Sequence, residues 1–193
     1  MILTVAQTYP TKENLYNNGF VHSRVKSYIN EGISAKVFVL NNKHRDEYEI
    51  ENVPVMRGKV NDLIQFIEHN PDVSCVCFHF LNPAMLKAIK GFRRKLGIVI
   101  FVHGNEALWW HERIFPERFS GIIRTLKFFK YVAVNTWSMS RIRTNINRIE
   151  QDVHIVGVSN WMLDVAIKNW KLDQTKVTTH VIPNIVNEEV FKY

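Results

Sequence analysis

Residues 97–110 read GIVIFVHGNEALWW, and the fold turns on the first six of them. A continuous apolar run from Ile98 to Val102, mostly β-branched, is too short for a helix and has no polar side. Such a run is expected in the middle of a parallel sheet, where both faces of the strand are covered. It ends at His103, with Gly104 immediately after. In α/β proteins the carboxyl ends of parallel strands are where ligands bind. An imidazole delivered there, beside a residue without a side chain, is a candidate site residue.

The same alternation of short apolar runs and amphipathic stretches extends in both directions. ILTVA (2–6), AKVFVL (35–40), VPVMRG (53–58) and VSCVCFH (73–79) read as strands upstream, and VHIVGVS (153–159) and THVIP (179–183) downstream. The proline in VPVMRG puts that strand nearer an edge. A helix is expected from Gly19 to about Asn30, with Phe20, Val25, Tyr28 and Ile29 on its apolar side and Gly32 as a left-handed stop. Others are expected over 60–69, where Val60, Leu63, Ile64 and Ile67 are spaced i, i+3, i+4, i+7, over 83–96, and over Asn160–Trp170 behind a Ser159 cap. YVAV (131–134) suits a strand, yet Phe119, Ile122, Ile123, Leu126 and Phe129 before it and Met139, Ile142, Ile146 and Ile149 after it keep helical spacing. We therefore read 116–149 as one bent helix or two in succession. Residues 7–18 form a polar loop of turn formers. Strands separated by helices imply right-handed crossovers and a doubly wound, mostly parallel α/β sheet with helices on both faces.

A chain of 193 residues with 46% apolar content can bury one sizeable core. No run approaches the roughly 18 apolar residues of a membrane-spanning helix. The first residues are apolar without a charged leader, so they read as a strand rather than a signal peptide, and a cytoplasmic location is expected. Cys75 and Cys77 share one face of their strand and read as core thiols; no further ligand at suitable spacing makes a zinc site, and no metal is expected. The formal net charge of +7 favours anionic partners or reflects a solvated basic surface, and charge alone leaves both open.

The dinucleotide fingerprint G-x-G-x-x-G is absent, and so is the P-loop. What the first strand–loop–helix unit does offer is Gly19 after Asn17 and Asn18, at a helix start whose exposed N–H groups can admit an anion; the bland reading is a glycine that permits a turn. His79 and His103 end two strands that are consecutive in the sequence, so a parallel sheet brings both to the same edge. Each is a site residue or a rim histidine held by a backbone hydrogen bond. Glu106 is close enough in sequence to orient or charge-pair with the His103 imidazole, or is an ordinary loop carboxylate. No nucleophile elbow or hydrolase triad is present, and no zinc-finger, RNP-type or helix-turn-helix pattern points to nucleic acid.

The order of these signals resembles the N-terminal, acceptor-binding half of a retaining GT-B glycosyltransferase of family 4 (group 1). YPTKENLYNNGFVHSRVKSYINEG (9–32) resembles that family's opening loop and helix, and AKVFVL its second strand. VCFHFLNPAMLKAIKGFRRKLGIVIFVHGNE (76–106) resembles a strand ending in His, a helix, and a strand ending in His-Gly. IVGVSNWMLD (155–164) resembles the family's Val-Ser turn, and VIPNIVNEEVF (181–191) its interdomain crossover. Two positions depart from the pattern: Asn184-Ile185 stands where Asn-Gly is usual, and Asn18-Gly19 where many members have Gly-Gly. The resemblance implies a Rossmann-like domain over 1–183 and a crossover beginning at 184–193, with the donor-binding domain lying beyond this chain.

It also implies transfer of a sugar from a UDP- or GDP-type nucleotide sugar to a sugar or lipid-linked acceptor, in polysaccharide or glycolipid assembly. In that scheme Asn18, Gly19 and Gly104 approach donor phosphates and acceptor. His103 positions the donor sugar without acting as a covalent nucleophile. His79, Glu106 and Trp109 line the acceptor cleft, or Glu106 and Trp109 simply pack a loop. FPERFSGIIRTLKFFKY (115–131) interleaves basic and apolar residues, and KAIKGFRRK (87–95) adds charge. It either lies on an anionic membrane surface or packs its apolar side on the sheet. The rival reading of the whole chain is a non-catalytic Rossmann-like ligand-binding or interaction module, since fold does not determine function.

Overall fold

Strand β1 (Ile2–Ala6) lies at the middle of the chain's only sheet among the described residues, and everything else is laid down on either side of it. The computed structural model describes residues 1–14, 16–41, 45–113 and 121–185, without the side chains of 121–124. After β1 come α1 (Gly19–Asn30), β2 (Ala35–Leu40), β3 (Asp46–Ile50), β4 (Val53–Gly58) and α2 (Val60–His69). The chain then runs through β5 (Cys75–His79), α3 (Pro83–Gly91), β6 (Gly97–Val102), α4 (Gly121–Asn145), β7 (Asp152–Gly157), α5 (Asn160–Trp170) and β8 (Val177–Val181). The strand order is β3-β4-β2-β1-β5-β6-β7-β8, parallel throughout except for β3. The chain builds outward from β1 through β2, then returns to pair β5 on the other flank of β1. This reversal is the topological switch point, the place where open α/β sheets hold ligands.

Alternate strand residues face opposite sides. Leu3, Val5, Val76, Phe78, Ile98, Ile100, Val153 and Ile155 meet α2, α3, α4 and α5 in the main core. Val37, Val39, Val53 and Val55 meet Val21 and Val25 of α1 on the other side. The architecture is the expected doubly wound α/β sheet, with four helices on one face and α1 on the other among the described residues. The helix ends follow local chemistry. Gly32, at φ 76°, closes α1 with the paired bonds Gly32 N–H to Ile29 C=O and Ile33 N–H to Tyr28 C=O, a left-handed stop. The Asn82 side chain accepts from the Ala84 and Met85 amides at the start of α3, and Ser159 Oγ accepts from Met162 N–H at the start of α5. Cys75 and Cys77 are free thiols, the second buried.

Two readings need correction. DEYEI (46–50), not read as a strand, forms β3 and takes the edge, so β4, expected near an edge, is second from it. Pro54 is tolerated because the β4 ladder with β2 begins one residue later, at Val37↔Val55. The β3–β4 connection is a two-residue turn with both residues, Glu51 and Asn52, at positive φ. The helix expected over 83–96 stops at Gly91, where Phe92 turns extended. The helical reading of 116–149 holds where it is described: α4, which contains Tyr131–Val134, hands over to a 3-10 turn at Ile146–Arg148, and residues 116–120 lie outside the described residues. β1 and β2 keep their expected bounds, and β5, β6, β7 and β8 shift by one or two residues at their ends. Most of the crossover expected over 184–193 also lies outside the described residues.

Candidate functional site

The carboxyl end of β1 opens into loop 7–18, which is pinned from within. Asn18 sits in the left-handed region, φ 58° and ψ 40°, and its amide donates to the Thr8 carbonyl at 3.2 Å and to Thr8 Oγ1 at 2.7 Å. Asn is among the few residues that adopt this conformation cheaply. Its own carbonyl accepts from Val21 N–H and starts α1. A Cβ built on Gly19 would meet nothing within 4 Å, so space is open at the first turn of the helix. Tyr9 is buried and its hydroxyl hydrogen-bonds His22 Nδ1 at 2.8 Å; His22 Nε2 lies 3.3 Å from the Glu51 carboxylate, which also pairs with Lys26. This chain ties the loop to α1 and to the β3–β4 turn.

β5 and β6 deliver their histidines side by side. His79 Nδ1 and His103 Nε2 are 2.9 Å apart. His79 is fully buried and stacks on Phe101 of β6, with ring centroids 4.7 Å apart and planes 3° off parallel. His103 touches Phe20, at 4.8 Å between ring centroids, and Phe80, at 4.5 Å. Phe20 follows Gly19 in α1, so the start of α1 and His103 share one rim at the switch point. Phe80 itself is at φ 59°, a backbone position that costs a bulky residue on the order of 1–3 kcal/mol. Strain of this size persists only where the surroundings enforce it.

Arg24 completes the cluster. It is 4% exposed, its guanidinium lies 4.4 Å from the Phe101 ring centroid, and Nη2 donates to the Pro183 carbonyl at 3.0 Å. Among the described residues no carboxylate pairs with it. Burial and then the Arg24 charge push His103 down to about 4; burial, then His103 and Arg24, hold His79 well below the ordinary histidine range. Both rings are therefore neutral at pH 7, and one donates to the other. Arg24 Nε, His79 Nε2 and His103 Nδ1 have no hydrogen-bond partner among the described residues. Buried polar atoms are seldom left so unless a ligand or water meets them.

Glu106 does something other than orient the imidazole. Its carboxylate accepts from the His103 backbone N–H at 2.6 Å and the Gly104 N–H at 3.1 Å, and so shapes the turn after β6. Burial raises its pKa, and those backbone bonds oppose the rise. Gly104, at φ 155°, makes the turn itself. Trp109 is half-buried against the main core. Asn169 of α5 donates to the Ala107 carbonyl and to Glu112, and Trp170 Nε1 to the Glu106 carbonyl, so α5 braces this loop. His79, His103, Gly104 and the Asn18–Gly19 start of α1 are brought to one rim; Glu106 and Trp109 support the loop beside it.

Arg24, Phe101 and Phe80 are rim residues that sequence reasoning missed. A signal for Arg24 exists: Val21, Arg24, Val25 and Tyr28 keep i, i+3, i+4, i+7 spacing, so an arginine stands inside an apolar stripe. Among the described residues no group of three His, Cys, Asp or Glu side chains can hold a metal ion, and no helix is long and apolar enough to cross a membrane.

No protein-family model matches the chain, and no curated protein matches it in sequence. Among solved structures, it is similar to one described as a "putative epimerase" from Bacteroides thetaiotaomicron, at 15% identity and a TM-score of 0.41, over 81% of this chain and 69% of that one.

Proposed function

We propose that the rim formed by the start of α1, Arg24 and the His79–His103 pair binds a phosphorylated ligand of the nucleotide-sugar type, and that the domain is the N-terminal half of a retaining glycosyltransferase. The observation that carries the first part is Arg24: a buried guanidinium with no carboxylate partner among the described residues, on the helix whose open N-terminus lies at the switch point. Buried charges are ordinarily paired, and an anionic ligand supplies the missing counter-charge. The transferase part rests on the order of motifs in the sequence.

In this scheme the α1 N–H groups and Arg24 favour the negative charge that develops on the leaving diphosphate. His103 holds the donor sugar through Nδ1, its other nitrogen being engaged by His79. His79 decides the tautomer: if its Nδ1–H donates, His103 Nδ1 carries a proton and donates to a ligand oxygen; in the reverse case it accepts from a hydroxyl.

Calorimetric titration with UDP-glucose and GDP-mannose tests the binding. At least one is expected to bind, and Gly19→Asp is expected to abolish binding while leaving thermal stability equal or slightly higher, since a carboxylate in the first helical turn is favourable by about 0.3–1 kcal/mol. Absence of binding by both nucleotides sinks the proposal. For transfer, His103→Ala in a protein carrying both domains is expected to cut kcat far more than it alters stability.

The second reading is a Rossmann-like module that binds its ligand without turnover; the same fold and rim suit it equally, since fold does not determine function. Binding without turnover in a protein carrying both domains would select it.

A further inference from the structure

We propose that the outward face of α4, continued into the groove between α3 and α4, docks this domain on an anionic lipid bilayer. The 25 residues of α4 make a helix roughly 37 Å long, against roughly 20 Å for the six-residue strand before it. The helix therefore overshoots the sheet. Among its described side chains the first buried one is Asn135, which donates to the Leu108 carbonyl in the loop after β6; Met139 and Ile142 follow in the core. Residues 125–134 rise beyond that anchor, on the side where the strands end.

Large apolar side chains stand in solvent here beside Thr125, Lys127 and Lys130. Leu126 and Phe129 are each 64% exposed, Val134 56% and Trp137 54%. At 100° per residue, Leu126, Lys130, Val134, Trp137 and Arg141 fall on one stripe opposite Asn135, Met139 and Ile142. The helix sequence contains five Lys or Arg and no Asp or Glu. Trp137 and Arg141 also line a groove of about 460 Å³ with Pro83, Leu86, Lys87 and Lys90 of α3, so cations and apolar surface continue together off the helix.

Charge complementarity selects the occupant. A second copy would bring like charges face to face. A nucleic acid would satisfy the cations and leave Leu126 and Phe129 in water. A bilayer surface takes both, with headgroup phosphates at the lysines and arginines and the acyl boundary around the leucine, phenylalanine and tryptophan. This surface is separate from the Arg24–His103 rim, and the two proposals fail independently.

The test is flotation of the 193-residue chain with vesicles of phosphatidylcholine alone or of equal parts phosphatidylcholine and phosphatidylglycerol. The chain is expected to float with the anionic vesicles only, less at high salt, with a blue shift in tryptophan emission. Leu126→Ser/Phe129→Ser and Lys130→Glu/Arg141→Glu are each expected to reduce partitioning at least about tenfold. Both pairs are exposed, and unchanged melting curves establish that the variants are folded. Failure to float, equal flotation with neutral vesicles, or indifference to either pair of substitutions overturns the proposal. So does duplex DNA binding that follows the charge variant alone, or dimerisation in sedimentation that both variants abolish.

Discussion

Arg24 is a cation on the inward side of its helix, and much of the chemistry at the rim follows from it. It sits over Phe101, reaches the Pro183 carbonyl and lowers the proton affinity of both rim histidines, after the larger effect of their burial. Replacing it with an uncharged side chain of similar length removes one of the two causes acting on His103. In Arg24→Met the His103 pKa is expected to rise from about 4 toward the ordinary histidine value, read by NMR titration of the ring protons. An unchanged His103 titration would mean that the guanidinium charge does not reach the ring.

Elements are joined here by close approaches that a single methyl would disturb. Gly157 ends β7, and a Cβ there would lie 2.6 Å from Leu163 Cβ, 2.8 Å from the Leu163 amide nitrogen and 2.9 Å from the Ser159 carbonyl oxygen. Two of these neighbours are backbone and cannot rotate away, so the β7–α5 turn must open. Gly157→Ala is expected to destabilise by about 1–3 kcal/mol in urea unfolding, in the range of other overpacking changes. The loop braced by Asn169 and Trp170 would loosen with it, because α5 holds residues 106–112. Stability within error of the parent chain would show that the turn has slack that the distances do not suggest.

At the scale of the whole molecule, placing two histidines at the switch point has a consequence for acid stability. Their folded-state pKa values lie below the unfolded value, so the unfolded chain binds more protons as pH falls. Both are neutral in either state well above pH 6.5 and contribute no pH dependence there. As pH drops from about 6.5 toward 4, protonation favours the unfolded chain and stability declines. His22, also held low by burial, adds to the same slope. Urea midpoints are therefore expected to fall across that window, and the slope to become shallower in His79→Leu/His103→Leu. An identical slope in the double variant would remove the pair from the acid response.

How much of this was legible in the chain depends on the range over which each feature is decided. Gly19–Asn30, Val60–His69 and Asn160–Trp170 were readable because their ends are set by local chemistry: an αL asparagine and a glycine stop, i, i+3, i+4 spacing, a serine cap. The parallel strands were readable because burial on both faces demands uninterrupted β-branched runs. β3 was not, because an edge strand paired on one side only can be mostly acidic, and its pairing is decided by a turn whose Glu51 carries no turn signature. The sequence by itself determined the alternation of elements, hence the sheet, hence that His79 and His103 end at one edge. Only the folded molecule shows that the two rings touch, that Arg24 lies over Phe101, and that residues 125–134 of α4 stand clear of the core. Local bonds and spacing act over a few residues and are written in the chain, whereas these contacts join residues dozens of positions apart and exist only once the crossovers have been made.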